Sequence, residues 1–417
     1  MNSLINGADT AWVLISGGLV LFMTPGLALF YGGMVRAKSV LNMMMMSFSA
    51  IGVTTIIWVL YGYSIAFGKD HSGLIGDLSH LGLGNTLDQV VGNEGHAIPT
   101  LAFAMFQLTF AIITIALLSG AIADRVKFSS WLVFVAAWVT LVYAPVAHWV
   151  FGGGWIATKL GALDFAGGTV VEINSGASAL ALVMVVGKRL GFKRDPMRPH
   201  NLPLVLLGAG ILWFGWFGFN GGSALTSGAL ASTALINTQI AGAAAAMTWV
   251  LTEKLRDGKA TTLGVASGAV AGMVAITPAC GFVNPLGALI IGLISGSLSA
   301  WAVAMKYRFN YDDSLDVVGV HGVSGFFGML AIGILGTTTA NALGGNGLFM
   351  QGGTSLLQKQ FIASVATALF SFAATYLIAT FIQKSIGFRS KQDDESTGLD
   401  QTYHAETAYD FSSISIR

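Results

Sequence analysis

Residues 363–378 read ASVATALFSFAATYLI, a stretch that contains no charged side chain. A bilayer core about 30 Å thick requires about 20 mostly apolar residues per helix, and the chain has such runs repeatedly. A transmembrane β-strand would alternate apolar and polar positions over about 10 residues, but neither this stretch nor residues 141–150 alternates in that way. The sequence therefore predicts an all-α polytopic membrane protein. Its eleven expected transmembrane helices, or spans, lie near residues 11–31, 41–67, 99–122, 128–150, 170–187, 203–221, 229–252, 261–278, 284–305, 317–338 and 360–386.

The composition excludes several classes of protein. Of the 417 residues, 54% are hydrophobic and only 10% are charged, whereas a soluble domain carries about 25% charged residues. The net charge of +1 provides no field that would hold nucleic acid. A single cysteine, Cys280, excludes an intrachain disulfide and a cysteine-based metal site. We therefore expect a membrane protein without a cofactor or a metal ion.

The positions of Lys and Arg predict the orientation, because cytoplasmic loops are enriched in them. If the N-terminus is outside, 18 of the 21 basic residues are cytoplasmic, and only Lys69, Lys159 and Lys359 are external. The cytoplasmic set is Arg36, Lys38, Arg125, Lys127, Lys188, Arg189, Lys193, Arg194, Arg198, Lys254, Arg256, Lys259, Lys306, Arg308, Lys384, Arg389, Lys391 and Arg417. We expect an N-out, C-in protein of the cell membrane. Residues 1–12 contain no basic residue, so the first span is expected to be retained rather than cleaved as a signal peptide.

Two short matches relate the halves of the chain. Residues 171–176 (VEINSG) in span 5 match residues 320–325 (VHGVSG) in span 10, and residues 30–33 (FYGG) in span 1 match residues 219–222 (FNGG) in span 6. Five spans separate the copies in both cases, and an odd number inverts the second copy in the bilayer. Inverted repeats place a substrate site near mid-membrane, between the two halves.

This repeat defines the predicted domain organisation. A membrane domain covers residues 1–386, with five-helix repeats near 11–187 and 203–338 and an additional helix at 360–386. A polar tail of residues 387–417 follows on the cytoplasmic side.

Glu172 and His321 occupy equivalent places in the two repeats. An ionisable side chain within a span is costly and is a functional candidate by default. The pseudo-twofold axis is expected to bring the two residues together in a transport pathway. The alternative is a structural pair that braces span 5 against span 10.

Other polar residues near the spans have simpler expected roles. Asp164 and Asp316 precede spans 5 and 10, where each carboxylate is expected to cap a helix; balancing a cation in an outer vestibule is the alternative for Asp164. His148 and Glu253 lie near span ends and are expected at the water interface. The remaining histidines outside the spans are expected in loops: His71, His80, His96 and His200.

Aromatic residues are frequent near the predicted external ends of the same spans. They are Phe106, Phe110, Phe151, Trp213, Trp216 and Phe219. Trp216, Phe219 and Ser223 are spaced three and four apart and so share one helix face. A ring face attracts a small cation, and a hydroxyl oxygen accepts a hydrogen bond from it.

These residues carry a resemblance to a known family. The chain resembles the ammonium transporter family of bacteria, fungi and plants over nearly its whole length, in residues 24–34 (TPGLALFYGGM), 164–168 (DFAGG), 216–220 (WFGFN), 320–322 (VHG) and 398–400 (GLD). The resemblance implies eleven helices, a homotrimer with one pore per subunit, and import of ammonium, with methylammonium as a possible competitor. It implies no enzyme, and Glu172 and His321 alone form neither a catalytic triad nor a three-ligand zinc site.

The resemblance also implies roles for the aromatic and polar residues. Phe110 and Phe219 would be stacked rings that close the outer mouth, with Phe106 beside them, and Trp216 would line the pore. Ser223 would accept a hydrogen bond from ammonium. Asp164 would support the ammonium site without touching the ion.

The chain departs from the family at two of these positions. Phe151 stands where the family usually has tryptophan, which weakens the expected cation–π contact. Glu172 stands where most members have histidine. A subset seen among fungal relatives has an acidic residue there, as this chain does. An intact ion cannot cross an apolar pore cheaply. We therefore expect ammonium to lose a proton at the gate, ammonia to diffuse, and Glu172 and His321 to return the proton as a coupled pair.

The tail, residues 398–409, resembles the cytoplasmic terminus of the family. In relatives this segment couples subunits and helps to admit a PII-type signalling protein, which implies regulatory roles for Asp400, His404, Glu406 and Tyr409. Ala405 replaces the usual glycine, and a solvated, partly disordered tail is the alternative.

An ammonium sensor is the competing function. Family sensors resemble transporters fused to a long signalling domain, whereas about 30 residues follow span 11, so a transporter is expected.

Overall fold

The structure is a computed structural model that describes residues 4–409. Residues 1–3, which belong to the N-terminal segment without basic residues, lie outside the described residues. So does Arg417, one of the basic residues that predict the orientation. Within the described part, ten helices are long and apolar enough to cross a membrane, and one apolar helix is shorter. In chain order these helices are α1 (Gly7–Met34), α2 (Ala37–Phe67), α3 (Thr100–Ala121), α4 (Phe128–Val150), α5 (Gly168–Val186), α6 (Leu202–Gly221), α7 (Ala229–Asp257), the shorter α8 (Thr262–Ile276), α9 (Pro285–Phe309), α10 (Val318–Leu335) and α11 (Ser355–Ser385).

The eleven helices confirm the all-α prediction, and each corresponds to one predicted span. The largest differences at one end are at α7, which continues to Asp257 instead of ending near 252, and at α11, which begins at Ser355 instead of near 360. Helix α8 is the shortest of the eleven, with 15 residues. Proline lacks a backbone N–H and cannot continue a helical ladder, so Pro278 explains why α8 ends so early. Beyond it the chain forms turns that reach α9.

Five of the long helices contain a π-helical turn. These turns are Trp58–Gly62 in α2, Val139–Tyr143 in α4, Gly168–Ile173 in α5, Phe217–Gly221 in α6 and Val318–Val323 in α10. Such turns are rare and frequently mark functional sites. Glu172, Phe219 and His321 all lie in them, whereas the apolar runs of the sequence predicted transmembrane helices at these positions without indicating the π-helical turns.

Helices that the two short sequence matches relate also pack against each other at glycine residues. A side chain at Gly208 in α6 would collide with the backbone of Phe30 in α1, and one at Gly176 in α5 would collide with the backbone of Gly322 in α10. Small residues allow membrane helices to approach closely. The glycines therefore allow the two halves of the chain to approach closely at these two places. The inverted relation between the halves stays a prediction.

The loop between α2 and α3 contains the β-structure of the described residues. Strands β1 (Asp70–His71) and β2 (Ile75–Gly76) pair antiparallel, as do β3 (Val90–Val91) and β4 (Ile98–Pro99). This loop lies at the end of the bundle opposite to the tail.

Basic loops meet the tail at the other end of the bundle. Arg36 Nε lies 3.1 Å from Asp124, Arg189 Nη2 lies 2.8 Å from Asp312, and Arg389 Nη2 lies 3.1 Å from Glu395. The predicted cytoplasmic basic residues of these loops thus share one end of the molecule, which is a necessary condition for the predicted orientation. Arg36, Arg189 and Arg389 are thus held in ion pairs.

The described part of the tail is folded. It forms α12 (Gln392–Thr397) and α13 (Leu399–His404). The Asp400 carboxylate accepts hydrogen bonds from the backbone N–H groups of Leu41 (3.0 Å) and Asn42 (2.8 Å) near the start of α2. A residue of the tail therefore caps a membrane helix far away in sequence, and burial raises the pKa of this carboxyl despite those bonds.

Candidate functional site

Two cavities lie in line within the helix bundle. The first, here called the aromatic cavity, has a volume of about 120 Å³ and is lined by Phe103, Phe106, Gln107, Phe110, Phe151, Phe165, Ser223 and Leu225. The second, here called the narrow channel, has a volume of only about 20 Å³, and its lining includes Phe219, Trp216, Glu172 and His321.

Two stacked rings separate these spaces. The ring centroids of Phe110 and Phe219 are 4.2 Å apart with an interplanar angle of 33°, and both residues are 1% exposed. Phe106 packs edge-on against Phe110 at 4.9 Å. The three residues proposed from the sequence as a gate are therefore together, and the rings must move before anything passes from one space to the other.

Helix α3 supplies one wall of the aromatic cavity. Phe103, Phe106, Gln107 and Phe110 follow the spacing i, i+3, i+4, i+7, which places them on one face of a helix. Phe106 and Phe110 were predicted from the sequence as site residues, whereas Gln107 was missed. The feature that could have indicated Gln107 is that it is a lone amide side chain in an apolar span.

Ser223 faces α3 across the aromatic cavity. Its hydroxyl donates a hydrogen bond to the Phe219 carbonyl oxygen at 2.8 Å. Because that bond uses the hydroxyl hydrogen, the oxygen can act toward a ligand only as an acceptor. This is the polarity that a cation with N–H groups requires.

Phe151 enters the aromatic cavity from the turn after α4. His148, one helical turn earlier, fixes this turn: its Nδ1 lies 3.0 Å from the Ala66 carbonyl oxygen and its Nε2 lies 2.9 Å from Asp70 Oδ1. The hydrogen bond from His148 lowers the pKa of the Asp70 carboxyl.

The expectation that water reaches His148 is wrong. Its side chain is fully buried, because the end of α2 and the loop that follows cover the end of α4 and supply its two partners, Ala66 and Asp70. Glu253 is half-buried near the end of α7, where it accepts hydrogen bonds from Trp249 (3.0 Å) and Thr261 (2.9 Å).

Asp164 caps the start of α5, as expected. Its carboxylate accepts hydrogen bonds from the backbone N–H groups of Gly167, Gly168 and Thr169 at 2.7–2.8 Å. It does not line the aromatic cavity. Burial raises the pKa of this carboxyl, and the hydrogen bonds oppose that effect.

The corresponding cap of α10 is Asp313, so the assignment to Asp316 is wrong. Asp313 accepts hydrogen bonds from the N–H groups of Val317 (3.1 Å) and Val318 (2.7 Å), whereas Asp316 forms an ion pair with Lys306 at 2.6 Å. Asp313 precedes His321 by eight residues, as Asp164 precedes Glu172. This equal spacing could have identified Asp313 as the capping residue from the sequence.

Glu172 and His321 meet in the wall of the narrow channel. His321 Nδ1 lies 2.7 Å from Glu172 Oε2, and the two residues are 4% and 1% exposed, respectively. The predicted approach of Glu172 in span 5 to His321 in span 10 therefore agrees with the structure. Among the described residues, His321 Nε2 has no hydrogen-bond partner, so it is free to act on a molecule in the channel.

Trp216 lies between the gate and this pair. Its ring centroid is 5.6 Å from that of Phe219, and its Nε1 donates a hydrogen bond to Thr277 Oγ1 at 2.9 Å. Thr277 in turn contacts Asn220 Oδ1 at 3.2 Å. Sequence reasoning missed this network, because nothing in the spacing connects α8 with α6.

The rest of the narrow channel is mostly apolar. Its lining also includes Met23, Leu27, Phe30, Tyr31, Ile113, Leu117, Val270 and Leu315. Among the described residues, no group of three His, Cys, Asp or Glu side chains could hold a metal ion. The space suits a small neutral molecule and a proton-exchanging pair.

The four tail residues differ in their surroundings. Asp400 caps α2, as described above, and His404 Nε2 lies 3.1 Å from Asn42 Oδ1. Tyr409 contacts His200, with its hydroxyl 2.7 Å from His200 Nε2, whereas Glu406 is exposed.

Comparison with known proteins gives consistent matches. The model of the Ammonium Transporter Family matches residues 11–409. An ammonium transporter of Mycobacterium tuberculosis is 52% identical, with 97% of this chain and 91% of that protein aligned. The crystal structure of Candida albicans Mep2 superposes with a TM-score of 0.86 at 33% identity, covering 94% of this chain and 88% of that one. A solved structure named Sensor Amt Protein gives a TM-score of 0.88 at 28% identity, covering 97% of this chain and all of that one.

Proposed function

This chain belongs to the ammonium transporter family, and we propose that it imports ammonium across the cell membrane by way of the aromatic cavity and the narrow channel. It is accordingly a multi-pass membrane transport protein and not an enzyme. The observation that carries the proposed route is the order of its parts. An aromatic cavity with hydrogen-bond acceptors, a pair of closed rings and a buried acid–histidine pair follow one another in line.

The aromatic cavity captures the ion. Ring faces of Phe106, Phe110 and Phe151 attract a cation, and Ser223 Oγ accepts one of its hydrogen bonds. Asp164 acts from behind the wall by fixing the start of α5. The absence of a lining carboxylate keeps the cavity from holding the ion too firmly.

The narrow channel favours passage of ammonia rather than of the ion. An isolated charge in an apolar medium costs tens of kcal/mol by simple solvation estimates, and most of the lining is apolar. A proton must therefore leave the ion near Phe110 and Phe219. Neutral ammonia then diffuses along the channel.

Glu172 and His321 return the proton. Their 2.7 Å contact provides one hydrogen bond along which a proton is shared, and His321 Nε2 faces the channel side of the pair. The same contact is compatible with a structural brace between α5 and α10. Substitution of Glu172, considered in the Discussion, separates these roles.

The proposal extends to the organisation of the protein. We infer a membrane domain of residues 1–386, built as two inverted repeats and an additional helix, with a cytoplasmic tail at 387–417 and the N-terminus outside. The protein acts as a homotrimer embedded in membrane lipid, and its tail end presents a surface for a PII-type signalling protein. The contact of Asp400 with α2 supports a coupling role for the tail.

Growth on limiting ammonium tests the proposal. A microbe that lacks its own ammonium transporters is expected to grow when it produces this chain, because import replaces the missing uptake. A correctly inserted protein that fails to restore growth contradicts the proposal.

An ammonium sensor is the second candidate. The observation in its favour is the superposition on the Sensor Amt Protein, since a protein named a sensor has the same fold as this chain. A sensor with little flux would leave growth unrestored while still binding ammonium. Saturable ammonium uptake by the purified protein in liposomes excludes it.

A further inference from the structure

Gln107 is a buried amide in the wall of the aromatic cavity. The residue is only 7% exposed, and its side chain lines the cavity together with Phe103, Phe106 and Phe110. Across residues 4–409, no side chain or backbone group forms a hydrogen bond with this amide. By contrast, the buried Gln360 accepts a hydrogen bond from the Leu163 N–H at 2.7 Å and donates one to the Leu163 carbonyl oxygen at 2.6 Å.

A buried amide without a partner is unusual, because an unmade hydrogen bond costs about 1–3 kcal/mol. The protein surrounds Gln107 mostly with phenylalanine rings and leaves its polar end open to the cavity. A molecule in the cavity can therefore supply the missing partner. The amide oxygen accepts hydrogen bonds, as the oxygen of Ser223 does from the other side.

We propose that Gln107 is a specificity-determining residue whose Oε1 accepts a hydrogen bond from the captured ammonium ion, so that the ion is held between Gln107 and Ser223. This inference rests on the proposed function, since it assigns a second acceptor to the same site. It also explains how a cavity with phenylalanine at position 151 binds a cation, because a directional hydrogen bond compensates for the weaker ring.

The backbone ties both acceptors to the gate. Gln107 precedes Phe110 by three residues on α3, and Ser223 follows Phe219 by four residues at the end of α6. Each acceptor is thus about one helical turn from one of the two stacked rings. An ion that binds both acceptors is therefore held in the cavity that Phe110 lines, next to the contact between Phe110 and Phe219.

The number of N–H donors makes the arrangement selective. Ammonium has four donors, so it can satisfy both acceptors and still direct hydrogens toward the rings. A potassium ion has none and gains no directional hydrogen bond. A hydrogen bond to a charged group is worth more than a neutral one, so its loss is expected to weaken ammonium capture about tenfold.

Two substitutions of Gln107 test the inference in the full-length protein reconstituted in liposomes, with ammonium chloride as the probe. Gln107→Leu keeps the size and removes the acceptor, so the half-saturating ammonium concentration is expected to rise about tenfold. Gln107→Glu keeps the acceptor and adds a negative charge, so that concentration is expected to fall. A residue that only fills space would give changes of the same sign in both variants.

Gln239→Leu is the matched control, because Gln239 is an exposed glutamine on α7 outside the cavity, and it is expected to match the wild type. Wild-type half-saturation in Gln107→Leu would overturn the inference while leaving the transport function intact. If Gln107→Leu does not assemble, Gln107→Glu decides alone, and an unchanged or higher half-saturating concentration overturns the inference. An inactive wild type would instead contradict the proposed function itself.

Discussion

The contact between Glu172 and His321 is the point at which a proton-exchange role and a purely structural role can be distinguished by single substitutions. A carboxylate and an imidazole 2.7 Å apart in a mostly apolar channel can exchange a proton, or they can simply hold α5 and α10 together. Both roles require burial and a hydrogen bond. They differ in whether the carboxyl must be able to gain and lose a proton.

Glu172→Gln separates the two roles. The amide keeps the size and the hydrogen bonding but cannot take up a proton, so ammonium-evoked current is expected to stop or fall sharply. His321→Ala is expected to do the same. Glu172→His, which restores the commoner family pair, is expected to retain activity with an altered pH profile. Wild-type current across pH in a stable Glu172→Gln trimer would end the relay role and favour the brace.

Phe151→Trp tests the wall of the aromatic cavity. Tryptophan is the best ring for a cation–π contact, which is worth about 0.5–2 kcal/mol. The half-saturating ammonium concentration is therefore expected to fall by about twofold to thirtyfold, whereas selectivity changes less. Uptake measured over a range of ammonium concentrations gives this value, and an unchanged or higher one would show that position 151 does not face the ion.

Single residues were predictable from the sequence where their chemistry is unusual for a membrane helix. Glu172 and His321 stand out as ionisable groups within spans, and Asp164 stands out before a span. His148 was misjudged because its partners, Ala66 at the end of α2 and Asp70 in the following loop, are distant from it in the chain, and the sequence does not reveal their approach. Gln107 was missed because an amide carries no charge.

At the scale of elements, buried carboxylates define where α5 and α10 begin. Asp164 and Asp313 accept hydrogen bonds from the first N–H groups of the two helices, at positions eight residues before Glu172 and His321. The caps set the length of chain between the helix start and the proton-exchanging pair. They therefore help to place the two side chains opposite each other.

The cap of α10 is expected to make stability depend on pH. Burial raises the pKa of Asp313 from 3.8 to about 6. The folded chain thus binds this proton more tightly than the unfolded chain, and stability falls as the pH rises from about 4 to about 6. In Asp313→Asn this fall is expected to shrink, as measured by the apparent unfolding temperature in detergent between pH 4.5 and 7. An identical pH dependence in both proteins would show that Asp313 does not contribute.

The elements themselves were largely predictable, because long apolar runs have few alternatives in a bilayer. Their irregularities were not. The π-helical turns at 168–173, 217–221 and 318–323 leave no signal in the apolar runs from which the spans were predicted.

At the scale of the whole molecule, charge and aromatic residues lie at opposite ends. Ion pairs such as Arg36 with Asp124 gather at the tail end, and the aromatic cavity lies toward the other. The sequence predicted this polarity from the distribution of Lys and Arg. It could not predict which of these residues form ion pairs, since partners such as Arg189 and Asp312 are distant in the chain.

In the proposed route, ammonia formed from the captured ammonium ion crosses the membrane through the narrow channel. Val270 lines this channel, whereas Val265, on the same helix α8, is 43% exposed on the outside of the chain. Because the channel holds only about 20 Å³, a larger side chain at position 270 is expected to block it. Val265→Phe makes the same change without entering the channel.

The most direct measurement is ammonium-evoked current or uptake by purified protein in liposomes, for the wild type, Val270→Phe and Val265→Phe. We expect saturable transport by the wild type and by Val265→Phe. A correctly assembled Val270→Phe is expected to give no more current or uptake than protein-free liposomes. Transport by Val270→Phe at the wild-type rate, or no transport by the wild type, would contradict the proposed route.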